Sequence, residues 1–237
     1  MVRGLVCVIA SIFFLPGCGR IGFDAVDGAP PKDAKESDAN PGVLSFARLC
    51  DFSSHVIIES SIDVDNTVGR ALAETVKAEC APSTTIRTAS QDDPLVVDID
   101  TGRPVTAPQE LILLGGGDGP HDVVRYLLEK DTPLRWGGSP VTITERATSR
   151  VIAQGATDST SDFILLQVIE EPMGGTTSFS AQGLQANGTI AAALYFENSI
   201  GQWIAQEDVS WVVLRWTDSD RVNGASVDDS YMIIESG

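Results

Sequence analysis

The sequence predicts an α/β fold, a mixed open sheet with about three helices and a β-rich second half. Three observations carry that expectation. The aliphatic runs VIIES and ELILLGG each lead into an amphipathic segment. After Trp136 the texture changes to short strand-like runs separated by turn residues. A third helical segment follows late, at residues 188–200.

Each element has its own local reason. VIIES at 56–60 reads as a strand, and Asp63 to Asn66 offers capping residues for a helix running through NTVGRALAETVKAEC. Within it Val68, Leu72, Val76 and Cys80 recur every four residues, a core-facing stripe that ends in the cysteine. TTIRTA and PLVVDID read as short strands. The consecutive aliphatics of ELILLGG suit a strand covered on both faces. The segment PHDVVRYLLEK reads as a helix, with Pro120 in its first turn and Val123, Val124, Leu127 and Leu128 on one side. VTITER, RVIAQG and DFILLQVIEEP read as a meander or hairpin set, and GTIAAALYFENSI as the third helix. WVVLRW and SYMIIE are closing strands joined by the polar loop TDSDRVNGASVDD. Residues 43–237 thus form a single α/β domain, β-rich from about residue 138, and no internal repeat is visible.

The first 42 residues are of a different kind. Arg3 precedes a 12-residue apolar run, Gly4 to Leu15, too short for a bilayer-spanning helix of about 20 residues but suited to a signal peptide, residues 1–17. The run ends in Leu15-Pro16-Gly17-Cys18, which resembles the lipobox of bacterial lipoproteins. The resemblance implies cleavage before Cys18, a diacylglyceryl group on its sulfur, and acylation, palmitate for instance, of the new amino terminus. Gly19 in the next position is similar to lipoproteins sent to the outer membrane, so the resemblance implies an exported chain facing the periplasm or the outside. Several acyl chains make a stable anchor, at about 0.8 kcal/mol per buried methylene. Residues 19–42, rich in Asp, Ala, Pro and Gly, cannot bury enough apolar surface to order themselves. They read as a disordered tether from the lipidated Cys18, spanning roughly 25–30 Å between its ends.

Charge and cysteine usage agree with export. Loss of residues 1–17 removes one cation, Arg3, and takes the formal charge from −17 to −18. Such acidity repels nucleic-acid phosphates and anionic headgroups, so no nucleic-acid partner is expected. With Cys7 in the signal and Cys18 lipidated, Cys50 and Cys80 remain, and an oxidising compartment favours a disulfide between them. Neither has a second cysteine nearby and the chain has two histidines, His55 and His121, which argues against zinc.

The candidate site is the glycine turn after ELILL: Gly115, Gly116, Gly117, Asp118, Gly119 and His121. Its GGDG is similar to the GGDGT signature of diacylglycerol kinase-like lipid kinases and NAD kinases, where backbone amides lie against phosphates. That resemblance implies a nucleotide- or phosphate-dependent enzyme. Pro120 stands where those families have Thr, which removes a hydroxyl and an N–H, and an envelope compartment holds no ATP supply. The turn also fails G-x-G-x-x-G, because Pro120 occupies the third glycine position. A structural turn, in which the glycines serve positive φ and close approach, is the competing reading.

A strand ending in LLGG, and a later helix opening near Gly188-Thr189 with Ala191, Ala192 and Ala193, are similar to a recurring unit of S-layer proteins. That resemblance implies a non-catalytic surface protein. Asp218, Asp220, Asn223, Asp228 and Asp229 crowd one loop, which departs from the calcium pattern D-x-[DN]-x-[DN]-G at Val222 and at the late Gly224. Asp218, Asp220, Asn223 and Asp229 stand as a weak calcium candidate, and no metal or cofactor is otherwise expected. GGSPV and GASVD lack the second glycine of a nucleophile elbow. Glu170 and Glu171 are adjacent on a strand and point to opposite faces, as do Trp211 and Trp216, of which at least one belongs in the core. The expectation is therefore a lipid-anchored envelope or cell-surface protein without enzymatic activity, with a structural, adhesive or binding role. Its partners are the membrane through Cys18 and an envelope protein, surface protein or polysaccharide. Any ligand is expected outside the turns at Gly115–Pro120 and Gly188.

Overall fold

Two sheets and the helices that cover them account for the chain between Leu44 and Gly237. The computed structural model describes residues 44–59, 61–116, 123, 126, 127, 132–171, 174–220 and 224–237. The elements are β1 (Ser54–Glu59), α1 (Asp63–Cys80), β2 (Thr85–Ser90), β3 (Glu110–Gly115), β4 (Leu134–Gly137), β5 (Val141–Glu145), β6 (Val151–Gly155), β7 (Ser161–Glu170), β8 (Thr177–Gly183), α2 (Ala186–Ile204), β9 (Trp211–Thr217) and β10 (Ser230–Ser236). A 3₁₀ segment, Phe46–Asp51, precedes β1. The main sheet has seven strands in the order β10-β9-β7-β8-β3-β1-β2, and β4-β5-β6 form a separate antiparallel sheet. Strands β8, β3, β1 and β2 are mutually parallel, while β7, β9 and β10 run antiparallel to their neighbours. The fold is the predicted mixed α/β architecture with a β-rich second half.

The hydrophobic pattern decides which face each helix takes. The α1 stripe of Val68, Leu72 and Val76 is buried, and it packs with Phe196, Ile200 and Trp203 of α2 onto Ile57, Leu113, Leu166, Phe179 and Leu214 of the main sheet. Replacing Leu72 by Ala would open a cavity there at a cost of about 2–5 kcal/mol. The opposite face carries two smaller clusters. One gathers Val56, Ile58, Ile112, Leu114 and Ile169 under Val96, Val97, Val123, Tyr126 and Leu127. The other packs Phe163, Leu165, Trp211 and Val213 against Leu134, Ile143 and Ala153 of the small sheet. Val123, Tyr126 and Leu127 are helical, as the PHDVVRYLLEK reading requires, and the rest of that segment lies outside the described residues.

Several expectations need correction. PLVVDID is not a strand: it is a set of turns with one isolated bridge, Val97 to Pro104. The reason is local, because Asp93 and Asp98 carboxylates accept hydrogen bonds from the amides of Leu95 (2.9 Å) and Asp100 (3.1 Å) and so fold the chain back on itself. The N-cap of α1 is Ile62, with no side-chain cap; Asp63 and Asp65 sit inside the first turn, where they complement the helix dipole, as Lys77 does in the last. The expected set VTITER, RVIAQG and DFILLQVIEEP is divided, since β7 is a central strand of the main sheet and only β5 and β6 pair with each other. Strands β4 and β8 escaped the sequence reading. β8, TSFSAQG, is buried along its whole length although four of its seven residues are Ser, Thr or Gln.

Cys50 and Cys80 are bonded, with Cα atoms 4.9 Å apart, and tie the end of the 3₁₀ segment to the last residue of α1 across a separation of 30 residues. Buried Glu171 is a second tie: its carboxylate accepts from the Tyr126 hydroxyl (3.3 Å) and the Gly174 amide and lies 3.9 Å from the Arg103 guanidinium. Glu170, its neighbour, pairs instead with Arg48 at 3.5 Å. Reduction of the Cys50–Cys80 bond is expected to lower the unfolding free energy by about 3–4 kcal/mol, from the loop-closure entropy it removes from the unfolded chain. Urea unfolding of the protein with and without reductant measures this, and coincident curves contradict it.

Candidate functional site

In open α/β sheets ligands collect beyond the carboxyl ends of parallel strands, where neighbouring crossovers leave on opposite faces. Here α1 and α2 follow β1 and β8 onto one face, while helical Val123 and Leu127, following β3, pack on the other. The end of β3 is therefore the place to look. Gly117, Asp118, Gly119 and His121 lie outside the described residues. Gly115 and Gly116 lie within them, and both are filled positions. A Cβ on Gly115 would come 2.5 Å from the Asp65 carbonyl and 2.7 Å from Val68 Cβ. Gly116 has φ +88°, and a Cβ there would fall 2.0 Å from Asp65 Oδ1. The first turn of α1 thus presses a carboxylate onto the start of the glycine turn, where a nucleotide would need its phosphates.

The second predicted turn, at Gly188, is closed in the same way. Asp162, fully buried at the start of β7, accepts from the Gln185 amide at 2.7 Å and the Phe163 amide at 2.8 Å. A Cβ on Gly188 would lie 1.9 Å from its Oδ2. The α2 amino terminus therefore has an internal anion. Burial pushes the Asp162 carboxyl up to about 6, against the amides of Gln185, Phe163 and Leu184 and the Arg215 charge, which pull it down.

The remaining candidates are engaged in the fold. Asp229 Oδ2 accepts from the Trp216 indole (3.0 Å) and the Ser226 amide (2.8 Å), and its Oδ1 accepts from the Ser219 amide (3.0 Å). Burial raises its carboxyl, and these hydrogen bonds outweigh burial and hold it below the ordinary range. Asp218 is buried and accepts from the Asp220 amide at 3.2 Å; Asn223 lies outside the described residues. Among the described residues no three His, Cys, Asp or Glu side chains converge as metal ligands. His55 is buried with Nδ1 3.3 Å from the Ala73 carbonyl, and burial pushes its pKa down. Trp211 and Trp216 do face opposite sides, and both are largely buried, at 5% and 0% exposure.

What the sequence reading missed lies on the other face of β7 and β8. Gln167, Ser178, Ser180 and Gln182 project there between the two smaller clusters, all at 1% exposure or less. Among the described residues Gln167 Nε2, Ser178 Oγ and Gln182 Oε1 have no hydrogen-bond partner. The signal was present as the alternation of Ser178, Ser180 and Gln182 with Phe179 and Ala181, a period of two without the aliphatics that mark a strand. Trp211, which pairs with Gln167, lines a recess of about 340 Å³ with Thr132, Pro133, Glu145, Arg146 and Ala147.

Two measurements test the filled turns. Gly116→Ala is expected to cost about 2 kcal/mol or more in unfolding free energy, because it meets both the positive φ and the Asp65 carboxylate. An unchanged denaturation midpoint means instead that the turn has room. For Asp162, the folded pKa lies above the ordinary 3.8, so the native state holds the extra proton between those values. Its stabilising effect is present below about pH 4 and is lost as pH rises through 6, a swing of about 3 kcal/mol; buried His55 contributes in the opposite sense. Wild-type and Asp162→Asn unfolding free energies should therefore converge or cross between pH 4 and 7, and a constant difference contradicts the assignment. No protein-family model matches the chain, and no curated protein matches it.

Proposed function

We propose that the protein is a lipid-anchored envelope or cell-surface protein whose folded domain has a non-catalytic structural, adhesive or binding role. The observation that carries this reading is Leu15-Pro16-Gly17-Cys18 at the end of an apolar run with Arg3 before it. A lipidated Cys18, followed by the acidic tether of residues 19–42, holds the domain off the membrane surface. The Cys50–Cys80 disulfide supports an oxidising compartment, because such bonds persist outside the cytosol. Among the described residues no helix is long and apolar enough to cross a membrane. The likeness of the two glycine turns to S-layer-type surface proteins points the same way.

The enzymatic alternative, a phosphate-dependent reaction at the GGDG turn, fares poorly on electrostatic grounds. Asp65 against Gly116 and Asp162 beneath α2 put negative charge where a phosphate would need amide hydrogens. A chain of net charge −17 adds long-range repulsion.

Metabolic labelling with palmitate tests the anchor. The full chain should carry label and partition into the detergent phase, and Cys18→Ala should lose both. An unlabelled wild-type chain in the aqueous phase sinks the reading.

A further inference from the structure

We propose that the free edge of β10 is a self-association surface, on which a second copy of the chain adds its own β10 in antiparallel. Two seven-stranded sheets then join into one. The inference goes beyond the role proposed above and does not depend on lipidation of Cys18.

The edge is open and apolar. β10 pairs with β9 along one side, and no described strand pairs with its other side. Four of the seven large apolar side chains exposed among the described residues lie on it or beside it. Met232 is 59% exposed and Ile233 46%, Val227 stands in the loop before the strand, and Val151 follows Arg150, which pairs with Glu235. Met232 is opposite Arg215 and Ile233 opposite Leu214, so the two flank the edge on opposite faces of the sheet. An added strand would cover both. Folded proteins usually guard such an edge with lysine, proline, inward-pointing charge or a bulge. Between Ser230 and Ser236 there is no lysine and no proline. The other edge strand, β2, carries Arg87 in its middle, bonded to Glu110 at 2.9 Å. β10 keeps one guard, a bulge between Ile233 and Glu235, which confines regular pairing to the residues before it.

Charge and register select a second copy as the occupant. The chain carries a formal net charge of −17, so two copies repel unless they meet where charge is absent or internally paired. β10 has one charged residue, Glu235, and Arg150 neutralises it within the same copy. Just before the strand, the Asp229 carboxylate is turned back onto the Trp216 indole at 3.0 Å and the Ser226 amide at 2.8 Å. A two-fold axis at Met232 uses only the regular part of the strand. Met232 then faces its own counterpart, and Tyr231 of each copy faces Ile233 of the other. Directly opposed residues share a face, and an aromatic against a β-branched side chain is a favourable pair. Tyr231 is fixed before any copy arrives. Its ring lies 5.4 Å from that of Tyr195, and its hydroxyl donates to the Ser226 carbonyl at 2.8 Å. The edge is therefore preorganised, and pairing does not have to order it. So short a ladder buries less than a standard interface of about 1,600 Å², which sets the expected dissociation constant at roughly 1–100 μM.

The test is sedimentation velocity of the full chain in a mild detergent, over roughly 1–300 μM. A reversible monomer–dimer equilibrium is expected, and the Cys18→Ala chain should show the same one. Met232→Glu sets two carboxylates on the axis of an acidic dimer and should weaken it about tenfold or more, with the melting temperature unchanged because the side chain is exposed. Should that variant fail to fold, oxidative crosslinking decides. Met232→Cys should form a covalent dimer above the wild-type background and faster than Thr88→Cys, at an exposed position of the opposite edge strand. A wild-type chain that stays monomeric overturns the inference, whether or not it binds an extended peptide. So does a dimer that is indifferent to Met232→Glu, a dimer lost with Cys18→Ala, or crosslinking no faster at position 232 than at 88. Palmitate labelling is independent of these outcomes, so a labelled chain that stays monomeric refutes this inference alone.

Discussion

The buried carboxylate of Asp162 is the joint on which the helical face depends. It leaves the second residue of β7, accepts from the Gln185 amide just before α2, and sits so close to Gly188 that no side chain fits between them. The backbone of Gly183, at the end of β8, abuts Gly188 and Thr189 as tightly, with a Cβ there falling 2.2 Å from the Gly188 carbonyl carbon. Strand, turn and helix are thereby held at one distance, and that distance lets Phe196, Ile200 and Trp203 reach Phe179, Phe46 and the α1 stripe. The joint is costly in water-free surroundings, since burial works against the charge it contains. What offsets part of that cost is hydrogen bonding from the amides of Phe163, in β7, and of Gln185, the residue before α2. One carboxylate therefore stands at the entry to α2, in the place where a ligand anion would otherwise lie.

Asp65 repeats the device at the neighbouring turn. The two carboxylates come from different elements, one from within α1 and one from β7, yet both end beside glycines at the carboxyl edge of the parallel strands. This gives the glycines a structural reason that needs no substrate. Gly116 is required by its φ and by Asp65, and Gly188 by Asp162.

How far the sequence was legible follows from the range of the interactions involved. The α1 stripe, the strand ELILLG and the pairing of Cys50 with Cys80 were legible because each is written in a periodicity or a count that needs no knowledge of distant partners. The turns of PLVVDID were misread because Val96 and Val97 look like strand residues, while Asp93 and Asp98, which bend the chain, act through side-chain hydrogen bonds that periodicity does not register. Strand β8 was missed for the opposite reason. Its polar residues become buried only because β3 and β7 flank it and the clusters on either side close over it, which is a fact of tertiary packing. The candidate turn was found in the sequence, but Asp65 and Asp162, 51 and 26 positions away from the glycines they meet, could not be connected to it there.

These two kinds of polar burial lead to different chemistry. At the carboxyl edge of the sheet, every buried oxygen of Asp162 described above is matched by an amide, so the fold has closed that site from within. On the far face, Gln167 Nε2, Ser178 Oγ and Gln182 Oε1 are uncharged, equally buried and without a hydrogen-bond partner among the described residues. A fold selected only for stability would favour apolar residues at such positions, because Leu or Val there would add packing and remove the desolvation cost.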